Sequence, residues 1–376
     1  MKAIQDKVQE NIRLEKLQNY YEGKQEIIHR YYEDSTKPNN KIIINYMKEV
    51  ADFYTSYLVG VPVEYTNAPQ ELTDNLKYND NDESTIQAVK NMNVCGFSCE
   101  LFYTDEAGTP RFAPLDPKEC IIFMNDDLQQ DIKGFIRLIK QDEEIGGYIA
   151  TYYTSSDYTT YRVDEVTNSL TMIEEPTKHY FLDVPINLYL NNTEMQGSFE
   201  QAIPMQDALN KIMSDNVNDF ESFVDSYLVL EGLQGTTTED IANMKRDRVL
   251  LTDKDSKAYW LTKNVNNAHI KQLQDDIKGF IKSTCFLPDF DQLGTAIFSQ
   301  SAEALKVKLL MTDTKAKGQE RAITKALMRK LELLYNIMNI STKIGDYTAI
   351  ELVLKRVLLS DVKIYQISEN EADEYI

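Results

Sequence analysis

Two phrases, YYEGKQEIIHR at 20–30 and NNKIIINYMKEVADFYTSYLVGVPVEY at 39–65, decide how the rest of the chain is read. In the second, Ile43, Tyr46, Met47, Val50, Phe53, Tyr54, Tyr57 and Leu58 recur at helical spacing, which predicts a helix with one buried face. Gly60 stands where that helix stops, and Pro62 inside VPVEY starts an extended edge strand. Glu22, Gly23 and Lys24 make a charged turn ahead of it.

Outward from this block, the chain of 376 residues exceeds one ordinary domain, and with 42% hydrophobic and 10% aromatic residues it can bury a sizeable core. The formal charge of -20, from 40 basic and 60 acidic residues, argues against a tight grip on phosphates. Counterion-releasing DNA binding needs a clustered Lys/Arg face, and none is visible. Cys95, Cys99, Cys120 and Cys285 form no CxxC pair, so they are expected as small core fillers with reduced thiols rather than zinc ligands. The start, MKAIQDKVQENIRLEKL, is charged throughout, and no window holds the ~18 apolar residues of a membrane span, so a soluble protein is expected.

The run NLKYNDNDEST at 75–85 is polar and turn-rich, after which IQAVKNMNVCGFSCELFY moves from helical to strand spacing. From 114 to 180 the pattern is antiparallel hairpins, and Tyr148, Tyr152, Tyr153, Tyr158 and Tyr161 fit a half-exposed sheet better than a stacking surface for ligands. VPINLYLNN is a strand ending near Asn192. A long helix is predicted over 198–230, its stripe being Leu209, Ile212, Met213, Val217, Phe220, Val224, Tyr227 and Leu228. A short helix capped at Thr238 and two short strands fill 234–265. Another helix runs from Asn267 to Phe286 with Ile270, Leu273, Ile277, Phe280 and Ile281 apolar, until Pro288 stops it.

The helix over 300–340 spans about 60 Å at the standard rise. Its middle, TDTKAKGQER, is polar on every face, and Gly318 weakens it, so a kink or packing against neighbouring subunits is expected there. Ile323, Leu327, Leu331, Leu334, Ile337 and Met338 regain a stripe, and Ile350, Leu352 and Leu354 alternate in a returning strand.

Catalytic motifs are missing: no GxxxxGK[ST], HExxH, GxSxG or GxGxxG occurs. His29, His179 and His269 are scattered and read as structural or exposed, and the adjacent pairs Asp126–Asp127 and Asp275–Asp276 read as solvated. No enzyme and no cofactor is inferred. Two rivals stay open, a nucleic-acid-processing enzyme with carboxylates hidden in the β-rich middle, and a non-channel structural protein of a virion.

In the order of its phrases the chain resembles the portal proteins of tailed bacteriophages, of the siphophage type from Gram-positive hosts. The phrases are YYEGK at 20–24, the Asn-rich turn into a helix at 39–46, YLVGVPVEY at 57–65, NVCGFSCELFY at 93–103, PLDPKECIIFMND at 114–126, VPINLYLNN at 184–192 and LGTAIFSQSAEALKVKL at 293–309. The resemblance runs to about residue 358. It implies an α+β fold with a β-rich wing and long stem helices in a ring-forming subunit. Its parts would be a wing at 1–197, a first stem helix at 198–231, a clip at 232–265, a second stem helix at 266–286, a tunnel loop at 287–300, a long kinked helix at 301–340, and at 341–376 a returning wing strand with a crown that is either reduced or truncated.

By the same resemblance, Asp289, Asp291, Gln292, Gly294, Ile297 and Phe298 face DNA from the tunnel loop, and Lys245, Arg246, Arg248 and Trp260 contact partners from the clip. The implied assembly is a ring of twelve copies at one capsid vertex of the virion, put together in the host cytoplasm and away from any membrane. Double-stranded DNA passes through it transiently and without sequence preference during packaging and ejection. Its implied partners are the terminase motor, the major capsid and scaffolding proteins and a head-completion adaptor. Energy for moving DNA would come from the terminase.

Overall fold

The computed structural model describes residues 1–34, 37–126, 128, 131–141, 146–164, 167, 169–224, 227–231, 237, 239, 257–261, 267–288, 302–341 and 347–354. Helices and sheets mix along the chain, as an α+β class requires. Contacts divide it into two compact units, one of Met1–Lys24, Asn45–Ile203 and Lys282–Ile376, the other of Gln25–Ile44 and Pro204–Ile281.

The first unit opens on helix α1, Lys2–Glu22, which the charged amino end did not announce. Ile4, Leu14, Leu17 and Tyr20 line its buried face together with Lys7, whose ammonium pairs with Glu10 at 2.9 Å and lies 5.2 Å from the Phe97 ring centroid. Gly23 then takes a left-handed conformation (φ 85) in which its N–H and that of Lys24 close on the Tyr20 and Asn19 carbonyls, ending the helix at the predicted turn.

Helix α2, Tyr46–Val59, is capped by Asn45, whose side chain accepts from the Lys48 N–H at 3.1 Å. Met47, Val50, Tyr54 and Leu58 are buried as the spacing predicts. Gly60 ends it in right-handed geometry, so the stop comes from Pro62, which pushes Val61 out of the helical region. The predicted edge strand follows as β1, Glu64–Thr66.

The turn-rich run 75–85 holds the end of α3, Gln70–Tyr78, and the start of α4, Asn81–Cys95, with the turn at Asn79 and Asp80, the latter with φ 47. Asn75, Asn79, Asn81, Ser84 and Thr85 are buried there, while Lys77, Asp80, Asp82 and Glu83 face solvent. Asn75 and Asn79 both donate to the Pro110 carbonyl, at 3.0 and 3.1 Å. Gly96 follows α4 with φ 90, and a Cβ there would fall 2.0 Å from the Met195 carbonyl oxygen, so only glycine permits the turn.

Strand β2, Phe97–Thr104, then runs between β3, Pro110–Pro114, and β10, Ile186–Leu190, antiparallel to both. The hairpins expected over 114–180 are present as an antiparallel meander. Its strands are β4, Cys120–Met124; β5, Ile132–Lys140; β6, Tyr148–Tyr153; β7, Asp157–Asp164; and β8, Ser169–Met172, with β9, Thr177–Lys178, also on β7. The five tyrosines of this sheet are half-buried. All four cysteines are free and buried. His179 is buried too, its Nδ1 accepting from the Phe181 N–H and its Nε2 therefore donating to the Thr154 carbonyl, which makes it a structural residue.

The second unit holds α5, Ile203–Val224; the paired strands β11, Tyr227–Glu231, and β12, Lys257–Leu261; and most of α6, Asn267–Thr284. The helix expected over 198–230 is thus shorter. Tyr227 and Leu228, read as part of its stripe, lie in β11, because the β-branched and aromatic run YLVLE pairs with KAYWL in register Leu228 to Trp260. Back in the first unit, α7, Ala302–Ser341, is continuous across Gly318. Its polar middle packs within the same chain. Thr312, Ala316, Gln319 and Ile323 are buried there, with Thr312 donating to the Phe286 carbonyl at 2.6 Å. Ile323, Leu327, Leu331, Leu334, Ile337 and Met338 are buried as predicted. The returning strand is the short β13, Glu351–Val353, paired with β1.

Lys330 of α7 and Glu100 of β2 form a salt bridge of 2.8 Å with both side chains fully buried. Glu100 also accepts from Ser84 at 2.8 Å, and from Asn187 and Tyr189 at 3.3 Å each. Lys330 donates to Asn81 at 3.1 Å and lies 4.3 Å from the Phe112 ring centroid. Burial pushes the Lys330 pKa down while Glu100 opposes that shift. Replacing Lys330→Met leaves a buried carboxylate without its cation, and urea denaturation should show a loss of roughly 3–5 kcal/mol. The double variant with Glu100→Gln should lose less than the sum of the single losses.

Candidate subunit interface

Helix α5 carries a second stripe, polar and spaced by four, made of Gln206, Asn210, Ser214 and Asn218. The first three are fully buried. Each serves the extended segment 40–44. Gln206 donates to the Ile44 carbonyl, Asn210 accepts from the Ile44 N–H at 3.0 Å, Ser214 from the Ile42 N–H at 2.9 Å, and Asn218 from the Asn40 N–H at 2.8 Å. Four residues of helix rise about 6.0 Å and two of strand about 6.6 Å, so the two repeats stay in step over three contacts. The helix thereby substitutes for a neighbouring strand. Arg30 locks the far end, bonding Asp215 at 2.6 Å and the Asn40 carbonyl.

The apolar stripe read from the sequence lies on other faces of α5 and is covered unevenly. Leu209 is buried, Ile212, Met213 and Val217 are half-buried, and Phe220 is 74% exposed. On α6, Leu273 and Phe280 are 43% and 60% exposed, while Ile270 and Ile277 are half-buried. Phe220, Leu273 and Phe280 thus leave apolar side chains in water on the two helices. Association there would remove apolar area worth about 25 cal/mol per Å².

Of the site residues named from the sequence, Asp289, Asp291, Gln292, Gly294, Ile297 and Phe298 lie outside the described residues, as do Lys245, Arg246 and Arg248. The Thr238 cap lies outside them as well. Trp260 sits in β12 opposite Leu228. The apolar stripe alone does not reveal the polar ladder of α5, although its spacing of four is readable in the sequence.

The family described as phage portal protein, SPP1 Gp6-like, matches residues 2–364. The chain belongs to this portal family. It is similar to the portal protein of Bacillus phage SPP1, 24% identical over 319 residues, which are 78% of this chain and 62% of that one. It is likewise similar to the portal protein of Clostridium phage phiCD119, 24% identical over 241 residues, 58% of this chain and 53% of the relative. The portal chain therefore aligns with less than two thirds of each relative's length. Its resemblance to portals of phages from Gram-positive hosts, drawn from phrase order, agrees with both.

In this portal chain the ladder makes α5 and 40–44 one piece. Asn210→Leu would remove the acceptor of the Ile44 N–H and the bonds that Asn210 makes to the Gln25 and Gln206 side chains. Hydrogen exchange at the amides of Asn40, Ile42 and Ile44 should then accelerate, with a loss of about 1–3 kcal/mol in stability.

Proposed function

We propose that this chain is the subunit of a portal ring of twelve copies, set at one vertex of a tailed-phage capsid, through which double-stranded DNA is packaged and later ejected. Family membership supports the reading, and the observation that carries it to an assembly is the exposed apolar surface at Phe220, Leu273 and Phe280. Residues 198–231 and 266–286 would be the stem, 232–265 the clip, 287–300 the tunnel loop, 1–197 the wing and 301–340 the long helix that returns to it through 341–376. Copies would pack stem against stem, covering those side chains.

A net charge of -20 per copy suits a conduit, since DNA must slide past walls that repel phosphate. Asp289 and Asp291, with Gln292, Gly294, Ile297 and Phe298, would touch the duplex from the tunnel loop without holding it. Lys245, Arg246, Arg248 and Trp260 would meet the terminase during packaging and the head-completion adaptor afterwards, with capsid and scaffolding proteins outside the ring. The chain would do no chemistry itself and would need no cofactor. Among the described residues no helix is long and apolar enough to cross a membrane.

Negative-stain images down the symmetry axis should show closed rings with an aperture wide enough for a duplex; strictly monomeric protein, or oligomers without an aperture, would overturn the proposal. Phe220→Glu with Phe280→Glu should abolish rings while the circular dichroism spectrum of the monomer is unchanged. Asp289→Lys with Asp291→Lys should leave rings intact and stall DNA passage, and a normal packaging yield would remove the loop from the DNA path.

A further inference from the structure

The segment 179–183 leads from the end of β9 to an ion pair with α7, and its backbone is strained. Tyr180 and Leu182 hold φ of 62 and 64, left-handed values that residues with a Cβ seldom take. Both side chains stand in water, 60% and 68% exposed. Phe181 between them is fully buried in the apolar cluster of Phe102, Phe112, Leu331 and Leu334. Such an alternation persists only while groups outside the segment hold it in place.

Two anchors do so. At one end Asp183 pairs with Arg329 of α7 at 2.8 Å. At the other, His179 is fastened to the turn between β6 and β7, its backbone N–H donating to the Ser156 carbonyl at 3.3 Å and its Nε2 to the Thr154 carbonyl at 3.0 Å. Its Nδ1 accepts from the buried Phe181 N–H at 3.2 Å, so the ring also folds the segment back on itself. Only the neutral tautomer with its hydrogen on Nε2 satisfies both contacts, and a proton on Nδ1 would set one N–H against another. Burial pushes the His179 pKa below its ordinary value, against the bond to Thr154 and the carboxylates of Asp157 in β7 and Asp183, which pull the other way. Lys178, next to it in β9, is exposed.

We propose that 179–183 is an acid-released strap, shut by neutral His179 and opened when Nδ1 of that ring takes a proton. Opening lets Tyr180 and Leu182 leave the left-handed region and draws Phe181 away from Phe102 and Phe112, while Asp183 stays tied to Arg329 as the hinge. The open strap carries a solvated imidazole of ordinary pKa, near 6.5, and below that pH it binds more protons than the closed one. Closure is therefore complete at neutral pH and weakens as the pH falls from 6.5 toward the lowered value of the closed state. The strap lies within the first unit, so it acts in the same way whether or not the chain forms a ring.

The test is hydrogen exchange of the full chain at pH 7.5 and pH 5.5, read by mass spectrometry on peptides covering 177–184 and corrected for the intrinsic pH dependence of amide exchange. Protection across the strap should fall at the lower pH by at least about threefold and by up to about tenfold, the limit that one ordinary imidazole sets over that interval. Peptides from 97–104 and 323–338 should keep their protection. His179→Asn retains an acceptor for the Phe181 N–H but cannot take a proton, so its strap should show no such fall. In the unaltered chain, exchange at the imidazole carbon between the two ring nitrogens should place the His179 titration below 6.5. Strap protection that falls by less, that falls equally in His179→Asn, or that is lost evenly over the whole unit would overturn the proposal, as would a His179 titration at or above the ordinary value.

Discussion

The buried ion pair of Lys330 and Glu100 is the constraint on which the first unit depends. Taking two charges out of water is expensive, and their attraction repays it only where the remaining donors and acceptors are also met. Here they are met from three directions, by Ser84 and Asn81 of α4, by Asn187 and Tyr189 of β10, and by the Phe112 ring of β3. The pair therefore specifies where the last third of α7 lies against the three-stranded sheet. An apolar contact would tolerate a slide along the helix that this network does not. Leu331, Leu334, Ile337 and Met338 complete the same contact with an apolar cluster around Phe102, Phe112 and Phe181.

Polar side chains do structural work elsewhere too. On α5 they hold an extended segment in place of a strand, and at the middle of α7 they join four parts of the first unit through Thr312, Lys315 and Gln319. Such joints are directional, so they fix geometry where apolar packing alone would permit several arrangements. Phe220, Leu273 and Phe280 are among the exposed apolar residues and, in the ring proposed above, serve association between copies. That division of labour agrees with membership of the portal family and with the ring proposed above.

Much of this was legible in the residues. The capped helix and edge strand at 46–66, the antiparallel meander, the strand at 186–190, the start of the helix at Asn267 and the stripe from Ile323 to Met338 all follow from periodicity and turn chemistry. The omissions share one cause. At 75–85 the residues that pack inward include Asn75, Asn79, Asn81, Ser84 and Thr85, and in the middle of α7 Thr312 and Gln319, so burial there rests on hydrogen bonds that apolar periodicity does not record. At 227–231 the error ran the other way, because a hydrophobic run fits a helix stripe and a strand equally well until a pairing partner is known.

By itself, then, the sequence determined the class, most elements and the family, since these rest on local propensity, spacing and the order of phrases along the chain. Only the tertiary structure decided which charges are buried together and which polar stripe of α5 faces inward. Those are properties of groups brought within about 3 Å from distant positions, 230 residues apart for Lys330 and Glu100, and no linear pattern records such a meeting.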